Sequence, residues 1–355
     1  MKILITAPSL DENENVSGIS TVVRQTVEHG SDEFFHFQAG RRDNEKIGAN
    51  WIFRQAISIP RLLREIRRRK IDLVHVNTAL NPLSIARDFA FVAAARIARR
   101  KILLHLHGGR FLTEEFTNRP LEKLTGKMLE MSDAVIVLSE IEKQIIENRQ
   151  RNLTARVLEN AVSLDAAQTR KNETTEKSIV FLGRLHESKG LHEIIEACRI
   201  LRNENYEFQF KCFGAGALKD FFISEMQKIL GDRFYYGGVI SGEDKWKRLA
   251  ESDIFLLPSR YGEGLPMAML EAMAAGCVVV VSDIASIRAV VEDGVNGLTV
   301  EPRNAPQVAE KLKFLLAGKA VWKNLRENAR ATIKEKFAIG DYVEKLEKIY
   351  REVLG

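Results

Sequence analysis

Residues 178–190, "SIVFLGRLHESKG", run from an apolar, β-branched stretch through Gly183 and Arg184 to Lys189 and Gly190, where a helical period begins. A strand, a tight turn and a helix in that order open a doubly wound α/β sheet. Here they open a second one. An earlier series, "KILITA", "FFHFQ", "DLVHVN", "KILLHLHG" and "AVIVLS", already alternates short apolar runs with helical segments, and "FQFKCFG", "DIFLLPS" and "CVVVVSD" continue the later series. Continuous apolar runs predict strands covered on both faces, hence parallel sheets wrapped by helices. Between the two series, "SLDAAQTRKNETTEK" at residues 163–177 is polar and aperiodic, as a linker is. The reading is α/β, with two Rossmann-like doubly wound domains, residues 1–162 and 163–337, facing a central cleft. The tail is helical from about residue 305, and its last segment spaces Tyr342, Leu346, Ile349 and Val353 on one face. This C-terminal helix, about residues 338–355, is expected to pack back on the first domain.

Composition agrees with two globular domains. The chain has 355 residues, 45% hydrophobic and 28% charged, without a low-complexity tract. No run approaches the roughly 18 apolar residues that span a bilayer, and "MKILITAPSL" turns polar too soon for a signal peptide, so the expected location is cytoplasmic. The 3 cysteines, Cys198, Cys212 and Cys277, lie in apolar segments without metal-like spacing and read as reduced core thiols. The formal net charge is +5, and the whole excess falls before residue 160, which points to an anionic partner for the first half.

Ligands of open α/β sheets bind at the carboxyl ends of strands, so the residues after each strand carry the functional argument. Gly18 follows Ser17 where a helix begins, and lets a phosphate approach backbone N–H groups; the GxGxxG spacing is absent, and an ordinary turn fits the same residues. Arg184 and Lys189 place two cations beside a helix N-terminus, a fit for a diphosphate, although a solvated loop is an equal reading of that stretch alone. No DxD metal-binding motif occurs, so these cations would stabilise a departing diphosphate without a metal. In "SRYGEGLPMAMLEAMAAG", residues 259–276, Glu263 lies in the loop after a strand and Pro266 suits the first turn of the following helix. Glu271 lies within that helix, crowded by Met267, Leu270, Ala272 and Met273. Acids in so apolar a setting suit the vicinal hydroxyls of a sugar and a ribose. His107, at the end of "KILLHLHG" beside Gly108 and Gly109, is assigned to the site. His75 and His105 read as packed core residues, and Asn77 is a minor site candidate.

Together these stretches resemble the retaining glycosyltransferases of the GT-B fold, family 4. The likeness runs from the Gly18 turn through "LENAV" at residues 158–162 and the Arg184/Lys189 pair to Glu263 and Glu271 as the family's E-x7-E. It implies a hexosyltransferase of EC class 2.4 that moves a sugar from a nucleotide-diphosphate sugar, a UDP- or GDP-sugar, to a hydroxyl with retention of configuration and without a cofactor or metal. Arg184 and Lys189 would hold the diphosphate, Glu271 the ribose, and Glu263 with Gly264 and Leu265 the transferred sugar. His107 would stand near the sugar and the acceptor, so the implied catalytic set is His107, Glu263, Arg184 and Lys189. "YYGGVISGED" takes the position of base contacts, with Val239 and Ile240 as neighbours. One departure is Asn160-Ala161-Val162-Ser163 before the linker, where many relatives have Asn-Gly-Val-Asp; a positive φ is not required there.

Arg61, Arg64 and Arg68 share one helical face opposite Ile59, Leu62, Leu63 and Ile66. That pattern fits a solvated outer helix and, equally, contact with an anionic membrane surface near a glycan or lipid-linked acceptor of surface polysaccharide synthesis. Two other readings stand beside the transferase: a nucleotide-sugar epimerase of the same architecture, and a basic nucleic-acid-binding protein. The second lacks any recognised binding motif and any aromatics among its arginines, so nucleic acid is not an expected partner.

Overall fold

A computed structural model describes residues 1–40, 48–109, 118–150, 153–164, 177–318 and 320–355. The 163–177 linker lies almost wholly outside them. The chain divides into two compact units, Met1–Asn160 with Ile339–Gly355, and Ala161–Ala338.

In the first unit β1 (Lys2–Ala7), α1 (Gly18–His29), β2 (Glu33–Gln38), α2 (Ala49–Arg69), β3 (Leu73–Thr78), α3 (Pro82–Ile97), β4 (Lys101–Leu106), α4 (Arg119–Glu130), β5 (Ala134–Val137), α5 (Glu140–Arg149) and β6 (Ala155–Val157) alternate. The six strands form one parallel sheet in the order β2-β1-β3-β4-β5-β6. Leu104 and Val76 pair in register and, with Val74, Leu106 and Val135, face a core filled by Leu62 and Ile66 of α2 and Phe91 and Val92 of α3.

In the second unit β7 (Ser178–Leu182), α6 (Leu191–Asn203), β8 (Gln209–Phe213), α7 (Lys219–Leu230), β9 (Phe234–Tyr236), α8 (Gly242–Ala250), β10 (Ile254–Leu257), α9 (Met267–Ala275), β11 (Val278–Ser282), α10 (Ala285–Arg288), β12 (Leu298–Val300), α11 (Ala305–Ala317) and α12 (Ala320–Lys336) build a second parallel sheet, ordered β12-β11-β10-β7-β8-β9. Numbered from β7, that order is 6-5-4-1-2-3, the dinucleotide-fold arrangement with its switch point between β7 and β10. The first sheet follows the other doubly wound order, with its switch between β1 and β3.

The last helix, α13 (Ile339–Leu354), belongs to the first unit and lies against α1 and β4. Tyr342, Leu346, Ile349 and Val353 are all buried. Tyr350 reaches furthest in: its hydroxyl lies 2.7 Å from His75 Nδ1, and the Glu347 carboxylate accepts from Ser31 N and Oγ at 2.6 and 2.8 Å.

The nine apolar runs read from the sequence are strands; β6, β9 and β12 had no such signal. Each has only 3 residues, and each ends a sheet, so one side is open to solvent and the continuous apolar pattern is lost. Pro266 also differs from expectation. It is the N-cap of α9, with ψ 118°, and not a residue of the first turn. Among the described residues no helix is long and apolar enough to cross a membrane. Cys198, Cys212 and Cys277 are buried, and burial pushes the Cys198 and Cys212 thiols up, away from reactivity.

Candidate active site

At the switch point of the second unit, β7 is followed by Gly183 and Arg184, and β10 by Pro258, Ser259 and Arg260. Gly190 ties the two ends together. Its φ is +72°, and a Cβ there would stand 1.9 Å from the Pro258 carbonyl oxygen, so only glycine lets the start of α6 pass this close to the end of β10. Arg260 N donates to Ser188 O at 2.8 Å, and the Arg260 guanidinium grips Glu193 at 2.9 and 3.0 Å and Glu187 at 3.1 Å. The Glu193 carboxylate holds the Arg260 proton more firmly than usual. Arg260 is therefore neutralised by the loop and helix it fastens, and contributes position more than charge.

The closure brings Lys189 onto Glu263. The Lys189 ammonium donates to Glu263 Oε1, and Ser259 Oγ donates to the same oxygen at 2.5 Å. Glu263 is buried and Lys189 half-buried. This modifies the picture of two free cations: Lys189 is already paired, while Arg184 is exposed and its guanidinium forms no ion pair or hydrogen bond among the described residues. Gly264 and Leu265 are buried directly behind Glu263.

Glu271 lies elsewhere in the same unit. Helix α9 is apolar all round, its faces covered by α8, α12 and β11, and Glu271 is the one charged residue in it. Glu271 is buried, 2% exposed, and Oε1 accepts from Lys245 Nζ of α8 at 2.6 Å. Glu271 is thus not an exposed helix position. Lys245 had no local signal, because "GEDKWKRLA" reads as a solvated amphipathic helix and the partner is 26 residues away. The loop before it, Gly237–Ser241, is shorter than "YYGGVISGED" suggests, since Tyr235 and Tyr236 belong to β9 and Gly242 opens α8. Val239 is 43% exposed at its tip, with Ile240 half-buried beside it.

The remaining residues belong to the first unit. Gly18 is the exposed first residue of α1, after Ser17 as N-cap; Asn15 Oδ1 accepts from Ser17 N at 3.0 Å and Ser20 Oγ at 2.8 Å and orders the turn. His107 follows β4 directly, its N donating to Thr78 O at 2.8 Å, and its Nε2 lies 2.6 Å from Asn77 Oδ1. His105 stacks on it with ring centroids 4.0 Å apart, and His75 stacks on His105 at 5.5 Å. Burial pushes His75 and His107 down to about 3 and His105 well below its ordinary value. Arg61, Arg64 and Arg68 are exposed on α2 as expected; Arg68 pairs with Glu65 at 3.0 Å and Arg61 sits over Phe37. Asn160 and Ala161 do not adopt positive φ. Among the described residues no three His, Cys, Asp or Glu side chains converge as metal ligands would.

Two parallel, doubly wound sheets define the fold of a GT-B glycosyltransferase. The glycosyl transferases group 1 model matches residues 165–332, and the glycosyltransferase family 4 model matches residues 21–166. The chain belongs to this family. It is 28% identical over 180 residues to the alpha-D-kanosaminyltransferase of Streptomyces kanamyceticus, covering 49% of this chain and 45% of that protein. It is 34% identical over 173 residues to the amylovoran biosynthesis glycosyltransferase AmsK of Erwinia amylovora, covering 45% and 40%. The matches thus span less than half the length of these two relatives. Anabaena HepE, solved in complex with UDP-glucose, superposes with a TM-score of 0.80 at 17% identity over 99% of this chain and 100% of that one, a likeness of fold.

Proposed function

We propose that the protein is a retaining glycosyltransferase that moves a sugar from a UDP- or GDP-sugar to a hydroxyl of a glycan or lipid-linked acceptor in polysaccharide synthesis. The observation that carries this is the switch-point geometry: Lys189, Ser259 and Glu263 meet at the carboxyl ends of β7 and β10, with Arg184 and the N-terminus of α6 at the same edge. A diphosphate there competes with Glu263 for the Lys189 ammonium, and the released carboxylate accepts hydrogen bonds from the transferred sugar. Glu271, its charge balanced by Lys245, keeps Oε2 for a ribose hydroxyl, and Val239 and Ile240 flank the base. Gly18 offers main-chain N–H groups to a phosphate, and His107 offers its ring to the sugar and the acceptor. Arg184, Lys189 and the α6 dipole neutralise the departing diphosphate without a metal ion. No side chain is needed as a nucleophile, since a phosphate oxygen of the leaving group takes the acceptor proton on the same face as the sugar departs.

The polysaccharide setting is supported by the name of AmsK, and the donor class by the UDP-glucose in HepE. A membrane surface as the place of the acceptor is supported by α2, where Phe53 is 65% and Ile57 43% exposed on the helix that carries Arg61, Arg64 and Arg68.

The deciding experiment incubates the protein with UDP- and GDP-sugars, with and without glycan acceptors, and reads product configuration by proton NMR. Transfer only with acceptor, with the anomeric configuration of the donor kept, is expected. Inverted product, or an epimerised sugar without acceptor, overturns the reading.

A further inference from the structure

Asn77, fifth residue of β3 and buried, is held from three sides. Its main-chain N donates to Thr6 Oγ1 at 3.1 Å, and its Nδ2 donates to the Thr6 carbonyl at 2.9 Å. A carbonyl oxygen only accepts, so this contact identifies the amide nitrogen, and the amide oxygen is the atom turned to His107. That oxygen only accepts as well, and at 2.6 Å from His107 Nε2 it requires the proton on Nε2. Burial keeps the ring neutral, so Nδ1 is left with a bare lone pair. The ring plane is set by the His105 ring stacked on it, and the chain beyond is pinned by Gly109, where φ is +120° and a Cβ would stand 2.2 Å from Ala79 O.

The structure assigns Asn77 as a positioning residue that locks His107 in the Nε2–H tautomer and presents Nδ1 as an acceptor for a carbohydrate hydroxyl. A phosphate oxygen, which has no proton to give, is refused by such a ring. This rests on the reading above that His107 belongs to the site, and it adds what the ring recognises there.

The test is heteronuclear NMR of protein labelled with 13C and 15N in histidine, with His107→Ala identifying the signal, beside steady-state kinetics. In the wild-type protein near neutral pH, the His107 signal should show the Nε2–H tautomer alone. An Nδ1–H tautomer or an imidazolium overturns the inference with no variant needed. Asn77→Ala should give mixed tautomers, and kcat lower by about ten- to a hundredfold with little change in the donor KM. Mixed tautomers with unchanged kcat also overturn it. Wild-type turnover in His107→Ala, by contrast, removes His107 from the site, and the reading beneath the inference falls while the tautomer remains measured.

Discussion

Lys245 and Glu271 form an ion pair of 2.6 Å between α8 and α9, and the lysine side chain keeps 12% of its surface exposed against 3% for the glutamate. The asymmetry decides what each deletion does. In Lys245→Met the carboxylate is left charged and unpaired in an apolar helix, which costs about 3–5 kcal/mol. In Glu271→Ala the ammonium swings to water, and alanine suits the helix interior. Thermal melts should therefore show a large drop for Lys245→Met and a small one for Glu271→Ala. Equal drops contradict the asymmetry.

The same Glu271→Ala protein, though folded, is expected to lose transfer, as is Lys189→Ala. Removing the Lys189 cation that faces the departing diphosphate costs about 10²–10³ in kcat, and removing Glu271 takes away the acceptor of the ribose hydroxyl that orients the donor. Circular dichroism separates loss of fold from loss of chemistry, and wild-type turnover in either variant contradicts the assigned roles.

Gly190 is the hinge of the βα turn. Alanine there must hold φ near +72° with its Cβ against Pro258 O. The left-handed conformation alone costs about 1–2 kcal/mol, and the clash pulls α6 off β10. Gly190→Ala should melt lower and bind UDP-sugars weakly by calorimetry even though no charged group is altered. Unchanged donor affinity would show that Lys189 does not depend on this approach.

Stability should fall on mild acidification. The folded values of His75 and His105 lie below the value of about 6.5 in an unfolded chain, so between the two the unfolded state binds more protons. Their contribution is complete above pH 6.5 and is lost as pH falls, for His75 towards about 3. At about 1.4 kcal/mol per pH unit, His75 alone costs roughly 2 kcal/mol at pH 5, and His105 adds in the same direction. His105→Phe keeps a ring in the stack and removes a buried imidazole whose nitrogens find no partner among the described residues. The urea midpoint should drop less between pH 7 and pH 5 in this variant than in the wild type.

Replacing Arg61, Arg64 and Arg68 by glutamine should weaken sedimentation with phosphatidylserine vesicles, by about 1 kcal/mol for each charge, while donor binding stays intact. Unchanged sedimentation would leave α2 as a solvated outer helix.

The fold was largely legible in sequence because a strand buried on both faces must be apolar throughout: "DLVHVN", "DIFLLPS" and "CVVVVSD" have no other use for their pattern. The glycine turns and the carboxylates were legible for a related reason, since an acid among methionines and alanines, or a turn from Gly183-Arg184 to Lys189-Gly190 after a strand, conflicts with its surroundings unless it serves a ligand or a close approach. Which charges meet was not legible. Lys245 finds Glu271, Lys189 finds Glu263 and Asn77 finds His107 across 26, 74 and 30 positions of chain. Sequence by itself thus determined the elements, through local period and burial. Tertiary structure alone decided the pairs, because electrostatic and hydrogen-bond energies depend on distances of a few ångströms that only the packing of strand ends and helix faces can set.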